Sequence, residues 1–171
     1  MKKILLVLIA VLGITAAASA QKTELSFSYG GYTQMDATDM HDGGKMNTAW
    51  GAVTAGINFK VAPKFWIGPS YTFSSSSYKH SNDCNIYYHV IMMNARYEYW
   101  RNSIVTLYGH MGIGADISHM NHEGDVTNKG YFAFHIAPLG AQVDLSRSFT
   151  MFGEVGFGAQ GLLQVGVRLR L

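Results

Sequence analysis

From Gly161 to Leu171 the chain reads GLLQVGVRLRL, with Leu163, Val165, Val167, Leu169 and Leu171 on one parity and Gln164, Gly166, Arg168 and Arg170 on the other. A period of two sends these sets to opposite faces of a strand. One face is then aliphatic and the other carries two guanidinium groups, so the strand cannot be buried in the same medium on both sides.

The alternation recurs, and it predicts eight strands. In the first, Leu25, Phe27 and Tyr29 oppose Glu24, Ser26 and Ser28; in the second, Val53, Ala55, Ile57 and Phe59 oppose Thr54, Gly56, Asn58 and Lys60. Phe65, Ile67, Tyr71 and Phe73 mark the third, against Gly68, Ser70, Thr72 and Ser74. The fourth sets Ile91, Met93, Ala95, Tyr97 and Tyr99 against Asn94, Arg96 and Glu98. The fifth places Val105, Leu107, Met111, Ile113 and Ile117 against Thr106, Tyr108, His110, Gly112, Gly114 and Asp116. In the seventh, Phe149, Met151, Val155 and Phe157 oppose Thr150 and Glu154.

The sixth strand changes parity. Leu139, Ala141, Val143 and Leu145 oppose Gln142 and Asp144, whereas Phe132, Phe134 and Ile136 before Pro138 fall on the other set. Proline has no ladder donor and belongs at bulges or edges, so a register-changing bulge is expected at Ala137-Pro138.

The connections alternate in length. Val61 to Lys64, Trp100 to Ser103 and Ser146 to Ser148 are tight, while Asp36 to Asn47, Ser75 to Asn85 and His119 to Lys129 read as long polar loops, with a short fourth outer connection at Gly158 to Gly161. This is the signature of an up-and-down meander with one short-turn end. Phe59, Phe65, Tyr97, Tyr99 and Phe149 cluster beside the tight turns, where an aromatic girdle would stand.

Composition turns this meander into a membrane barrel. Only 14% of residues are charged, 13% are aromatic and 19 are glycine, a poor surface for water, which usually carries about 25 to 35% charge. Lys2 and Lys3, the apolar run Ile4 to Ile14 and the small residues Ala18-Ser19-Ala20 read as a signal peptide cleaved before Gln21. Residues 1–20 are therefore expected to be removed and residues 21–171 to form one outer-membrane barrel domain. With Lys2 and Lys3 gone the basic residues equal the 11 acidic ones, which excludes a basic nucleic-acid footprint. Cys84, alone, cannot form an intramolecular disulfide.

The stretch FGEVGFGAQGLLQVGVRLRL, Phe152 to Leu171, together with PLGAQVDLSRSF, Pro138 to Phe149, resembles the small outer-membrane β-barrel family, the OmpX-like, Ail-like and OmpA-transmembrane-domain-like barrels. The resemblance covers the mature chain as architecture and its last third as motif. It implies an all-β, eight-stranded antiparallel transmembrane barrel with its long loops outside a Gram-negative cell. Implied partners are outer-membrane lipids and lipopolysaccharide, the outer-membrane assembly machinery and an extracellular ligand of the loops. Such barrels commonly end in phenylalanine; this chain ends in Leu171.

An eight-stranded barrel has an interior just wide enough for side chains to fill. The charges on the polar faces, Arg96, Glu98, Asp116, Glu154, Arg168 and Arg170, are therefore expected to pair in the lumen as a structural plug. A last turn centred near Ala159-Gln160 sets Glu154 opposite Gly166, with Arg168 diagonal to it. In the outer connections His41, His80, His119 and His122 stand among Asp36, Asp39, Asp42, Asp83, Glu123 and Asp125 and Met40, Met46 and Met120. They have no recognised metal-ligand spacing, and no metal or other cofactor is expected. His80-Ser81 lacks an orienting third group for nucleophilic catalysis, and the glycines of Gly109 to Asp116 suit close packing in a strand better than a phosphate loop.

The expected protein is a monomeric, non-enzymatic barrel whose loops serve adhesion, interaction or envelope integrity. Three rival readings are a narrow pore or carrier for small solutes, a lipid-modifying barrel enzyme, and a soluble lipocalin-like barrel with its apolar face turned inward.

Overall fold

A computed structural model describes residues 23–41, 49–77, 85–122 and 125–171; the expected signal peptide, His80 and Cys84 lie outside them. Eight antiparallel strands run in chain order: β1 (Thr23–Gly31), β2 (Ala52–Ala62), β3 (Phe65–Ser77), β4 (Asn85–Arg101), β5 (Val105–His122), β6 (Asp125–Asp144), β7 (Phe149–Gly158) and β8 (Leu163–Arg170). Each pairs with the next, and β1 closes on β8 from Glu24↔Arg170 to Gly31↔Leu163. Closure removes the free edge around the part of the wall that all eight strands share.

The two parities resolve as the alternation requires. Phe132 at 65% and Ile113 at 64% exposed belong to an outward apolar surface that includes Ile91, Met111, Leu139, Val155 and Val165. The inward set, Thr72, Asn94, Arg96, Gln142, Glu154 and Arg168 among it, is buried. A continuous apolar exterior around a polar interior needs lipid as its solvent. The soluble lipocalin-like alternative requires the reverse arrangement. Exposed aromatics form two belts, Tyr97, Tyr99 and Trp100 near the tight turns and Tyr29, Trp50, Tyr71, Tyr87 and Tyr131 towards the other end.

The bulge stands where Pro138 predicts it. His110 pairs with Ala137 while Tyr108 pairs with Gly140, and the β6–β7 register shifts between Ile136 and Leu139. This extra residue lets Phe132 and Ile136 on one side, and Leu139 and Val143 on the other, all face outward.

Three expectations about the outer connections are corrected. The first holds a helix, α1 (Gln34–His41), capped by a Thr33-x-x-Asp36 box: Thr33 N and Oγ1 donate to Asp36 Oδ2 at 2.7 and 2.9 Å, and Asp36 N donates to Thr33 Oγ1 at 3.4 Å. The third is a β-ribbon, with β5 and β6 paired out to His122↔Asp125, so His119 and His122 sit on a strand. His119 pairs with Asn128, and its Nδ1–H donates to Asn128 Oδ1 at 2.6 Å. The last hairpin pairs Glu154 with Gln164 and Phe152 with Gly166, a shift of two from the expected register. An even shift keeps every side chain on its face.

The barrel wall is uneven. β4, β5 and β6 have 17, 18 and 20 residues, whereas β7 and β8 have 10 and 8; a tilted strand crosses the hydrocarbon with about 9 to 11. On the low side the β7–β8 turn tucks inward, burying Ala159 and Gln160. Gly158, with φ of 132°, passes so close to β6 that a Cβ there would strike the carbonyl oxygen of Phe134.

Candidate functional site

The lumen is the candidate site, and it is layered. Nearest the tight turns, Glu24 anchors three arginines. Arg96 Nη1 donates to Glu24 Oε1 at 2.7 Å, Arg168 Nε lies 3.5 Å from the same oxygen, and Arg170 Nε lies 3.6 Å from Oε2. Arg170 Nη2 also reaches Asp144 Oδ1 at 2.9 Å. Arg101 spans Glu98 and Asp144 at 3.6 and 3.4 Å, and Glu98 accepts from Trp66 Nε1 at 2.7 Å.

The next layer centres on Arg168. Its Nη1 donates to Gln142 Oε1 at 2.7 Å, and its Nη2 donates to Tyr108 Oη at 2.9 Å and Glu154 Oε1 at 3.0 Å. The guanidinium lies 3.7 Å from the Phe152 ring centroid and 4.7 Å from that of Tyr108, so ring faces cover the parts of the charge that no carboxylate meets. Glycine makes the room. A Cβ on Gly140 would overlap the Tyr108 ring, and one on Gly166 would overlap Phe152.

Above Arg168, Asn94 holds Ser70, His110 and the incoming Gln160 together. The outermost layer joins an apolar cluster, Ile86, Tyr88, Val90, Met92 and Ala133 with Met35 of α1 inserted among them, to the buried polar residues Thr72, Ser74, Asp116 and Ser118 on the neighbouring strands. Gln34 ties α1 to β6 by donating to Phe132 O at 3.0 Å and accepting from Phe134 N at 3.3 Å.

Five of the six charges expected in the lumen, Arg96, Glu98, Glu154, Arg168 and Arg170, join this network. Arg168 stands opposite Thr150 and not diagonal to Glu154, and its length still brings it to the carboxylate. Asp116 is buried farther out along β5, where it accepts from Ser118 Oγ at 3.3 Å. Sequence reasoning missed Glu24 as the hub, although its parity places it inside, and missed the meeting of His110 and His135 at Glu154. Of the outer-connection residues weighed as metal ligands, Asp36 is spent on the α1 cap and on Ala49 N at 2.6 Å.

A closed eight-stranded barrel with an apolar exterior, aromatic belts and an ion-paired interior defines the class of small transmembrane β-barrels. The family model "Outer membrane protein beta-barrel domain" matches residues 4–160, and the chain belongs to that family; the protein is an integral outer-membrane β-barrel. No curated protein matches it. Among solved structures it is similar to Neisserial surface protein A (TM-score 0.59, 10% identity, covering 90% of this chain and 98% of that one). It is also similar to the N-terminal β-barrel domain of Pseudomonas aeruginosa OprF (0.52, 10%, 88% and 97%) and to the attachment invasion locus protein Ail of Yersinia pestis (0.50, 14%, 89% and 96%). At these identities the likeness is one of fold.

Proposed function

We propose that the protein is a non-enzymatic, monomeric barrel that presents the tall β4–β5–β6 wall and α1 outside the cell, for adhesion or envelope integrity. The mature chain would begin at Gln21 and reach the membrane through the assembly machinery, with lipopolysaccharide around its outer aromatic belt. The observation that carries this reading is the asymmetry of the wall. β5 and β6 continue as a paired ribbon well beyond the length the hydrocarbon needs, while the lumen beneath is filled with paired charges and apolar side chains. Main-chain pairing makes such a ribbon stiff without a ligand, which suits a surface that must meet partners already ordered. Ail, by its name an attachment and invasion protein, shares the fold.

The test is a barrel in which residues 117–130 are replaced by a two-residue turn. Cells carrying each form would be compared for retention on matrix-coated surfaces and for resistance to detergent, with assembly checked by the gel shift on boiling. Loss of either property with normal assembly supports the proposal. Unchanged retention and resistance would refute it.

A further inference from the structure

Two histidines converge on Glu154 on the outer side of the arginine-rich part of the lumen. His110 Nδ1 lies 2.8 Å from Glu154 Oε2 and His135 Nε2 lies 3.9 Å from the same oxygen. One ligand-capable atom from each of the three residues falls within 4.8 Å of the other two. The carboxylate oxygens have separate tasks. Oε1 accepts from Tyr108 Oη at 2.8 Å and from Arg168 Nη2 at 3.0 Å, so Oε2 is the one turned to the imidazoles.

The hydrogen bonds around the cluster leave it one cation short. Asn94 Nδ2 donates to Gly68 O at 3.3 Å and Ser70 Oγ at 2.8 Å, which fixes the amide orientation and leaves Oδ1 as an acceptor. An amide oxygen only accepts, so the 3.2 Å contact between His110 Nε2 and that Oδ1 assigns the ring proton to Nε2. A neutral imidazole has one N–H, so His110 Nδ1 then aims a lone pair at Glu154 Oε2. Two acceptors at 2.8 Å need a positive particle between them, a proton or a metal ion. His135 separates the two. It is 0% exposed and neither of its ring nitrogens has a hydrogen-bond partner; a proton held by His110 leaves this buried imidazole unused, whereas a cation on Oε2 employs it.

We propose that His110, His135 and Glu154 bind a divalent transition-metal ion of the zinc class inside the barrel. Separations of 2.8 and 3.9 Å lie either side of the edge of about 3.4 Å in a tetrahedron with bonds of about 2.05 Å, and with the set spread over as much as 4.8 Å the two imidazoles draw together on binding. Two imidazoles and a carboxylate suit zinc, nickel or copper better than magnesium or calcium. A cavity of about 30 Å³ lined by His110, Glu154, Asn94 and Gln160 adjoins the cluster, room for one water. Asn94 is the outer partner that fixes the His110 tautomer. Because Glu154 also holds Arg168, the bound ion extends the ion-pair ladder instead of replacing it.

The test uses the untagged, refolded barrel in detergent, stripped with chelator and titrated with Zn²⁺ by calorimetry and with Co²⁺ by visible absorption. One equivalent of Zn²⁺ should bind, and Co²⁺ should give the intense d–d bands of a four-coordinate site. The His110→Gln/His135→Leu double variant keeps the five other histidines; its affinity should fall at least tenfold, with folding verified by the gel shift. Equal binding by that variant places the ion elsewhere and overturns the proposal, as does a folded wild-type barrel that takes up no Zn²⁺. If the double variant does not fold, the wild-type Co²⁺ spectrum decides, six-coordinate or absent bands counting against the site.

Discussion

At the residue scale the lumen depends on charges that cannot be removed singly. Glu154 and Arg168 are both almost fully buried and meet at 3.0 Å, and Glu154→Ala leaves Arg168 one carboxylate short in a buried setting. That variant should lose about 3 to 5 kcal/mol, whereas Glu154→Ala with Arg168→Met should lose less, because no uncompensated charge remains. Denaturant unfolding in detergent, run as a double-mutant cycle, measures the difference. Additive losses would remove the pairing. Most of this site is legible in the sequence, since parity alone assigns Arg96, Glu98, Glu154, Arg168 and Arg170 to one interior. Parity says nothing of which interior residues face each other across the lumen, and Glu24, Tyr108 and Gln142 enter the network only through that geometry.

At the scale of elements, two local devices shape the interior. The bulge at Ala137-Pro138 decides which face of outer β6 is wet. Deleting Pro138 would remove the extra residue, turning either Phe132, Phe134 and Ile136 inward or Leu139, Ala141 and Val143 inward. The expected outcome is failure to refold, read as loss of the cold-detergent gel shift. A proline between two runs of opposite parity makes this bulge legible. The helix α1 is not legible in the same way. Its sequence, QMDATDMH, has no apolar stripe, and it is held by a cap, by Met35 in the outer apolar cluster and by the two hydrogen bonds of Gln34, all long-range except the cap. Asp36→Ala releases Thr33 and Ala49 together and should cost about 1 to 2 kcal/mol, measured by unfolding. The ribbon of β5 and β6 escaped for a related reason: Asn121, His122, Asp125 and Asn128 read as parts of a loop, while cross-strand pairing overrides their weak propensity.

At the scale of the molecule, barrel closure explains the division between what the outside and the inside do. The exterior solves the lipid problem with aliphatic side chains between two aromatic belts. Side chains occupy the interior at two levels, the Glu24, Arg96 and Arg168 ladder at one and Met35, Ile86, Tyr88, Val90 and Met92 at another, with Gln160 folded in between. Alternating connection lengths and strand count were sufficient to foresee the barrel. The height of its wall followed from pairing that single-strand patterns do not report. A lumen filled in this way should not conduct, and planar-bilayer recording of the purified wild-type protein tests that directly. The expected trace is flat at physiological salt and moderate voltage; a stable, reproducible open conductance would contradict it and restore the pore or carrier reading.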